Sequence, residues 1–162
     1  MIKGLHHNAY RCRDSEETRR FYEDFLGLPL ADAFEINESM TGRKTSVLHS
    51  FYRLGDGSFL AFFEAPGSPF EFKSQHDYDL HIALEVDTTT LQSMFEKGKA
   101  EGIETRGIAD HGFIHSIYFR DPNGYVIELA APTDSAATYA AKAEKRAPGA
   151  LARWQETKPP AR

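Results

Sequence analysis

The sequence predicts an α+β fold built from two tandem strand-helix-three-strand modules that form a curved mixed sheet around a cleft. The clearest element is a β-hairpin at residues 116–132, SIYFRDPNGYVIELAAP, in which alternating apolar residues flank an Asp-Pro-Asn-Gly turn. The same order of strand and helix signals occurs twice along the chain. After residue 132 the composition shifts to Ala, Lys, Glu and Arg, which predicts a helical C-terminal extension.

The first module is predicted over residues 4–66. It opens with a strand at residues 5–13, and Asp14 or Ser15 then caps a helix that Gly27 ends. Extended residues 28–36 follow, and Gly55-Asp56-Gly57 predicts the turn of a hairpin. The strands of that hairpin are predicted at residues 45–54 and 58–65.

The second module is predicted over residues 77–132 and follows the same order. A strand at residues 79–87 precedes a helix that one of Thr88 to Thr90 caps and that ends near Gly102. A strand at residues 103–108 and the hairpin of residues 116–132 complete the module. The extension, residues 133–162, is predicted to start its helix at Thr133 or Asp134 and to run to about Arg146, where Pro148-Gly149 interrupts it.

Composition narrows the classes of partner. The net charge of −5 lacks the basic footprint of a nucleic-acid-binding protein. Apolar runs fall short of a membrane span, and the N-terminus lacks the apolar core of a signal peptide, so the chain is expected to be cytoplasmic. The single cysteine, Cys12, cannot form an internal disulfide, and its position within a strand gives no reason for a lowered pKa.

Three side chains fall where the two modules would bring them together. His7 and His81 occupy equivalent positions on the first strands, 74 residues apart, and Glu128 interrupts the apolar last strand of the second module. A carboxylate in such a strand is either solvated or buried with a partner. Two imidazoles and a carboxylate that meet at the mouth of a curved sheet form a facial set of metal ligands with open positions for a substrate.

The sequence resembles the vicinal oxygen chelate superfamily, which includes glyoxalase I, extradiol dioxygenases, methylmalonyl-CoA epimerase and the fosfomycin and bleomycin resistance proteins. The resemblance is carried by HHNAYRCRDSEETRRFYEDFLGLPL from His6, HIALEVD from His81 and YFRDPNGYVIEL from Tyr118. It implies a metal-binding cleft with His7, His81 and Glu128 as ligands. His7 is preferred to His6 because its spacing to Asp14 matches the family, and His6 is expected to point the other way.

The resemblance also implies a fourth ligand in several members, drawn from the last strand of the first module. Here the equivalent position holds Ala61 or Phe62, and neither can bind a metal, although a one-residue bulge would bring Glu64 into place. A three-ligand site of two His and one Glu suits Fe(II) with open positions. Iron is therefore the favoured metal, with Zn, Ni, Co or Mn as alternatives.

The resemblance implies that Tyr118, ten residues before Glu128, lines the substrate pocket. His111 and His115 are placed to act as a general base or to stabilise bound oxygen, although the spacing of His111 to Tyr118 is two residues shorter than in dioxygenases. His49 and His76 have no counterpart and are expected to be structural or surface residues.

The favoured function at this stage is an Fe(II)-dependent extradiol dioxygenase that cleaves a catechol ring. The alternatives are a glyoxalase I-like lyase or isomerase, for which Glu64 would reach the metal, and a non-catalytic protein that binds or sequesters a small molecule. A small-molecule substrate and a homodimer are expected, with neither nucleic acid nor membrane as a partner.

Overall fold

The computed structural model of the chain describes residues 1–74 and 76–160. The described residues include eight strands and three α-helices. The first half contains β1 (Tyr10–Cys12), α1 (Ser15–Arg19), β2 (Leu30–Glu38), β3 (Lys44–Arg53) and β4 (Phe59–Glu64). The second half contains β5 (His81–Glu85), α2 (Thr88–Ala100), β6 (Thr105–Asp110), β7 (Ile114–Arg120), β8 (Val126–Pro132) and α3 (Ala136–Thr157).

The strand order confirms the duplication that the sequence predicts. The first sheet has the order β1-β4-β3-β2, and the second has the order β5-β8-β7-β6. In the first sheet β1 runs parallel to β4, whereas β2, β3 and β4 are antiparallel neighbours. Each module therefore places its first strand beside its last, which is the pairing that brings His81 and Glu128 onto neighbouring strands of one sheet.

The first strand is shorter than the sequence predicts. Regular pairing with β4 is confined to Tyr10–Cys12, and upstream only an isolated bridge joins His7 to Phe59. The amide of Phe59 donates to the carbonyl of His6 at 3.0 Å, and the amide of Asn8 donates to the carbonyl of Phe59 at 3.4 Å. The predicted strand of residues 5–13 thus runs alongside β4, but only residues 10–12 form a regular strand.

Both module helices begin at an aspartate. The carboxylate of Asp14 accepts from the amide of Glu17 at 2.8 Å, and that of Asp87 accepts from the amide of Thr90 at 2.7 Å. The prediction that Thr88 to Thr90 cap the second helix is therefore wrong by one residue. After α1 the chain continues as a π-helical segment, Arg20–Phe25, which buries Phe21, Tyr22 and Phe25.

The turn between β7 and β8 is buried, although turns usually lie at the surface. Asp121 and Asn123 are 2% and 1% exposed. The carboxylate of Asp121 accepts from the amides of Asn123 and Tyr125 and from the hydroxyl of Tyr22, the last at 2.9 Å. The side-chain oxygen of Asn123 accepts from the amide of Arg13 at 2.8 Å. The DPNG sequence therefore acts as a packed structural element as well as a turn.

The C-terminal helix contradicts the prediction of a break at Pro148-Gly149. Helix α3 runs without interruption from Ala136 to Thr157, with Pro148 inside it and no buried residue along its length. Its N-terminal part is held by Tyr139, whose ring stacks on Phe113 with centroids 3.8 Å apart. Leu151 and Trp154, farther along, are 62% and 57% exposed.

The chain forms two compact units, residues 1–82 with 119–127 and residues 83–118 with 128–162. The first contains the β1-β4-β3-β2 sheet and its aromatic core, in which Tyr22 and Phe62 lie with ring centroids 4.7 Å apart. The second contains α2, β6 and α3. Among the described residues, no helix has the length and apolar character needed to cross a membrane. The module boundaries 4–66, 77–132 and 133–162 stay a prediction.

Candidate functional site

Glu128 is buried in the middle of β8 and is hydrogen-bonded there. Its side chain is 6% exposed between apolar neighbours. The hydroxyl of Ser116 donates to Glu128 Oε1 at 2.6 Å, and the hydroxyl of Tyr118 donates to the same oxygen at 3.4 Å. A carboxylate in this strand could be solvated or buried with a partner, and the structure shows that Glu128 is buried and hydrogen-bonded.

Ser116 is the site residue that the sequence reasoning missed. It lies on β7 two positions before Tyr118, so strand alternation places both hydroxyls on one face of the sheet. That spacing is visible in the sequence and would have identified Ser116 once Tyr118 had been selected. The short bond to Glu128 makes it the principal hydroxyl donor to this carboxylate.

Tyr118 connects Glu128 to one of the two candidate histidines. His111 Nε2 lies 3.1 Å from the hydroxyl oxygen of Tyr118. Because that hydroxyl donates to Glu128, the arrangement is a continuous path from imidazole to phenol to carboxylate. The guanidinium of Arg106 lies over the Tyr118 ring, 5.3 Å from its centroid, and further restricts the ring.

His115 has a different partner. Its Nε2 lies 3.6 Å from a carboxylate oxygen of Asp110. The structure therefore joins Tyr118 to His111 and pairs His115 with Asp110. A catalytic role for either histidine stays a prediction.

His81 is the first residue of β5, and its Nδ1 lies 2.8 Å from the carbonyl oxygen of Asp77. A carbonyl oxygen can only accept, so in the neutral ring Nδ1 carries the proton and Nε2 carries the lone pair. Metal-binding histidines commonly donate their second ring nitrogen to a carbonyl or carboxylate in this way. The hydrogen bond thus holds His81 in the tautomer that suits a metal ligand.

His7 is held by its neighbour and by an aromatic cluster. Its Nδ1 lies 2.8 Å from Nδ1 of His6, and its ring centroid lies 5.6 Å from that of Phe51 and 6.3 Å from that of His49. The expectation that the His6 side chain points away from that of His7 is wrong, because their rings are within hydrogen-bond distance. The alternation rule fails because both residues precede the regular strand β1.

The remaining candidates have structural partners. His49 is buried, with Nδ1 3.0 Å from the carbonyl oxygen of Phe62 and its ring stacked on Phe63. His76 Nδ1 accepts from the amide of Tyr78 at 3.2 Å. Glu64 accepts from the amide of Ser15 at 2.8 Å. These contacts agree with the expectation for His49 and His76, and they give Glu64 a structural use at the start of α1.

Cys12 is buried and is not equipped as a nucleophile. Burial raises the pKa of its thiol to about 11, and the Coulombic effect of Glu64 adds to the increase, while hydrogen bonds from Thr18 and Ser15 oppose it. The thiolate is the reactive form of cysteine. Cys12 is therefore in its thiol form at neutral pH.

Within residues 1–74 and 76–160 the structure contains no cluster of three or more His, Cys, Asp or Glu side chains that could hold a metal ion. His7 and His81 belong to the first compact unit and Glu128 to the second. Each of the three has the local hydrogen bonding described above. Their assignment as one ligand set stays a prediction.

Comparison with known proteins points to one family. The model of the glyoxalase/bleomycin resistance protein/dioxygenase superfamily matches residues 4–129. A metallothiol transferase, FosB of Shouchella clausii, is 26% identical over 167 aligned positions, which cover 96% of this chain and 97% of that protein.

Solved structures share the fold. A variant of the fosfomycin resistance protein FosX from Listeria monocytogenes, complexed with Mn(II) and 1S,2S-dihydroxypropylphosphonic acid, has a TM-score of 0.60 and is 23% identical, with 83% of this chain and 97% of that one covered. A glyoxalase/dioxygenase from Nostoc punctiforme has a TM-score of 0.61 and is 22% identical, with 82% and 92% covered.

Proposed function

The chain belongs to the glyoxalase/bleomycin resistance protein/dioxygenase superfamily, and from that membership we propose that it is a divalent-metal enzyme that modifies fosfomycin or a similar small epoxyphosphonate. The observation that carries the proposal is the match to a metallothiol transferase over 96% of the chain. The fold shared with a fosfomycin resistance protein supports the same substrate class.

We propose His7, His81 and Glu128 as the metal ligands. The hydrogen bond from His81 Nδ1 to the carbonyl of Asp77 supports this, because in the neutral ring it places the lone pair on Nε2, as in metal-binding histidines. The buried Glu128 supports it too, since the hydroxyls of Ser116 and Tyr118 orient its carboxyl group. Mn(II) is the favoured metal in place of Fe(II), because the Listeria relative was solved with Mn(II) and carboxylate and imidazole suit that ion.

The reaction is the opening of an epoxide by a thiol. The sulfur of an external thiolate forms a bond to one epoxide carbon, the bond from that carbon to oxygen breaks, and the released oxygen takes up a proton. A divalent cation held by His7, His81 and Glu128 would supply Lewis acidity for the ring opening. Tyr118 donates its hydroxyl proton to Glu128 and contacts His111, so it orients the carboxylate of the proposed ligand.

The extradiol dioxygenase is retained as a second candidate. The observation that favours it is the 3.1 Å contact of His111 with Tyr118, since both residues were selected by their resemblance to dioxygenase positions. The reaction would need Fe(II), O₂ and a catechol that chelates the metal. The glyoxalase-type alternative requires Glu64 to reach the metal, and here one carboxylate oxygen of Glu64 accepts from the amide of Ser15.

The test is ³¹P NMR of fosfomycin incubated with the full chain and Mn(II), with and without cysteine or glutathione. A new phosphonate resonance that requires the thiol is the expected result, and a diol formed without thiol would mean that water is the nucleophile. Glu128→Gln should lower the rate by at least about 100-fold, because it removes the anionic ligand. Glu85→Gln, on the exposed end of β5, is the matched control and should retain activity.

A second incubation separates the two candidates. Fe(II)-loaded protein is supplied with catechols, and O₂ consumption is followed with an electrode. O₂ uptake together with unchanged fosfomycin would overturn the epoxide proposal in favour of ring cleavage. Fosfomycin that stays unchanged with every metal and thiol, in a sample shown to bind metal, would also overturn it.

A further inference from the structure

The start of the C-terminal extension is bonded to the turn between β6 and β7, residues 111–113. The hydroxyl of Ser135 donates to the carbonyl of Gly112 at 2.7 Å, and the hydroxyl of Thr133 lies 3.0 Å from the same oxygen. The amide of Thr133 donates to the carbonyl of Phe113 at 3.0 Å. Two successive carbonyls of the turn are therefore satisfied by residues that follow β8.

Helix α3 adds a ring contact to these hydrogen bonds. Tyr139, in the first turn of α3, stacks on Phe113 with the ring centroids 3.8 Å apart and the ring planes 4° from parallel. The guanidinium of Arg146, two turns farther along the helix, donates to the Tyr139 hydroxyl at 3.1 Å and lies over its ring. Tyr139 is thus fixed by its own helix and packs a rigid ring against the turn.

The turn that is held in this way contains His111. Its backbone is closed by a bond from the amide of His111 to the carbonyl of Ile114 at 3.0 Å and by one from the amide of Gly112 to Asp110 Oδ1 at 2.7 Å. The His111 side chain reaches Tyr118 on β7, with Nε2 3.1 Å from the hydroxyl oxygen. All of these residues belong to the second compact unit. The extension and Tyr118 are therefore connected through one short turn.

We propose that Tyr139 is a positioning residue that clamps the β6–β7 turn and so keeps the His111 ring in contact with Tyr118. The two hydroxyls that bond to the turn assist it. Because His111 is exposed, its place depends chiefly on the turn that contains it. The inference gives a role to the C-terminal extension, which follows the residues 4–129 that the family model matches. It rests on the proposed function only for the use of the contact between His111 and Tyr118, and it needs no bound metal.

The first test follows this contact by NMR of the full chain without added metal. Nuclear Overhauser peaks between the rings of His111 and Tyr118 should be present in the wild type and lost in Tyr139→Ala, because alanine removes the stacked ring but favours the helix. Tyr139→Phe keeps the ring and should retain the peaks. Trp154→Ala removes an exposed ring from the same helix, and as the matched control it should retain them too.

Amide hydrogen exchange gives a second readout at the turn. The amide of His111 bonds to the carbonyl of Ile114, so opening of the turn exposes it to exchange. Without the aromatic stack, this exchange should be about 2- to 10-fold faster in Tyr139→Ala. The double variant Thr133→Val and Ser135→Ala removes both hydroxyls, keeps Tyr139 and should accelerate the exchange by a similar factor. This double variant decides the question if Tyr139→Ala does not fold.

Three outcomes would overturn the clamp. The first is a Tyr139→Ala protein in which the ring contact and the exchange of the His111 amide are both unchanged. The second is an equal change in Trp154→Ala, since the contact would then respond to any loss from α3. The third is unfolding of α3 in Tyr139→Ala with the contact intact, which would mean that the stack on Phe113 only anchors the helix.

The same variants separate this inference from the proposed function. If Tyr139→Ala loses the contact while the wild type leaves fosfomycin unchanged, the clamp stands and the proposed function fails. If the wild type modifies fosfomycin, and Tyr139→Ala keeps both the contact and the wild-type rate, the proposed function stands and the clamp is overturned.

Discussion

At the scale of single residues, polar groups in the interior are used in two different ways. Glu128 accepts from Ser116 and Tyr118 beside the candidate site. Asp121 accepts from backbone amides and from Tyr22, and it has no place in the proposed chemistry. A buried carboxylate is therefore a guide to function only after its partners are known.

Asp121 should make stability depend on pH. Burial raises the pKa of this carboxyl, although hydrogen bonds from Asn123, Tyr22 and Tyr125 oppose the increase. The folded state therefore holds the Asp121 proton more tightly than the unfolded chain does, whose Asp pKa is about 3.9. The free energy of unfolding of the wild type, relative to Asp121→Asn, should rise as the pH falls from the folded pKa toward about 4.

Denaturant melts of both proteins between neutral pH and about pH 3 check this, with Asp56→Asn as the control. Hydrogen bonds from Ser58 lower the pKa of Asp56, so its contribution is present above the unfolded pKa and is lost as the pH falls through the folded pKa. As the pH falls, the free energy of unfolding of the wild type should rise relative to Asp121→Asn and should fall relative to Asp56→Asn. A constant difference between the wild type and Asp121→Asn would contradict the account.

Cys12 should be unreactive in the folded protein. With a thiol pKa of about 11, roughly one thousandth of the groups are thiolate at pH 8, since the two values differ by three units. The thiol is also buried. Reaction with Ellman's reagent should be at least about 100-fold slower than for free cysteine and should become fast in guanidinium chloride. A folded protein that reacts like free cysteine would restore Cys12 as a candidate nucleophile.

At the scale of elements, the sequence predicts what local signals determine. The Asp14 cap, the hairpin turns and the repeated order of strands are confirmed, because each depends on residues close together in the chain. The first strand and α3 are predicted less well. Pairing with β4 decides where β1 is regular, and the exposed α3 continues through Pro148 despite a proline's low helix propensity.

The candidate site also combines features that the sequence predicts with features that it does not. The pattern of the hairpin and the resemblance single out Glu128 and Tyr118, and the structure shows a hydrogen bond between their side chains. The bond between the rings of His6 and His7 could not be predicted, because it depends on irregular backbone before β1. Ser116 could have been found from its spacing to Tyr118 on the same strand face.

Gly124 in the DPNG turn should be intolerant of any side chain. Its φ is 96°, and a Cβ there would lie 2.6 Å from the amide nitrogen of Lys73 and 2.7 Å from its carbonyl carbon. Both atoms are backbone, and the amide of Lys73 donates to the carbonyl of Asn123 at 2.8 Å, so the segment cannot move away without losing that bond. Gly124→Ala should destabilise the protein by roughly 3 kcal/mol or more.

Gly27→Ala is the matched control for that substitution. Gly27 has a φ of 79°, but a Cβ there would meet no atom within 4 Å. Gly27→Ala should therefore cost only the free energy of holding an alanine at a positive φ, about 1–2 kcal/mol. Thermal and chemical melts of the two variants check the difference, and equal destabilisation would show that contact with Lys73 is unimportant.

At the scale of the whole molecule, the duplicated sheets share a strand order but differ in their polar residues. The last strand of the first module has Ala61 and Phe62, both fully buried, where the second module has Glu128. One copy of the module thus supplies packing at a position where the other supplies a candidate ligand. The expected homodimer stays a prediction, which analytical ultracentrifugation of the metal-loaded protein can check.

Metal binding should stabilise the folded protein as a whole. A cation that binds only the native state at 100 times its dissociation constant adds about 2.7 kcal/mol, which corresponds to roughly 5–10 °C in melting temperature for a chain of this size. Mn(II) should therefore raise the melting temperature, and EDTA should reverse the increase. His81→Leu should melt at the same temperature with and without Mn(II), and an equal increase in that variant would contradict the ligand assignment.

The exposed second half of α3 has a practical consequence for spectroscopy. Trp154 is the only tryptophan in the chain, and it lies on a part of the helix where no residue is buried. Intrinsic tryptophan emission will therefore report fraying of this terminal helix, while the sheets remain silent at that wavelength. Tyr10, Tyr52 and Tyr118, which lie on β1, β3 and β7, are the aromatic residues whose signals follow the loss of the sheets themselves.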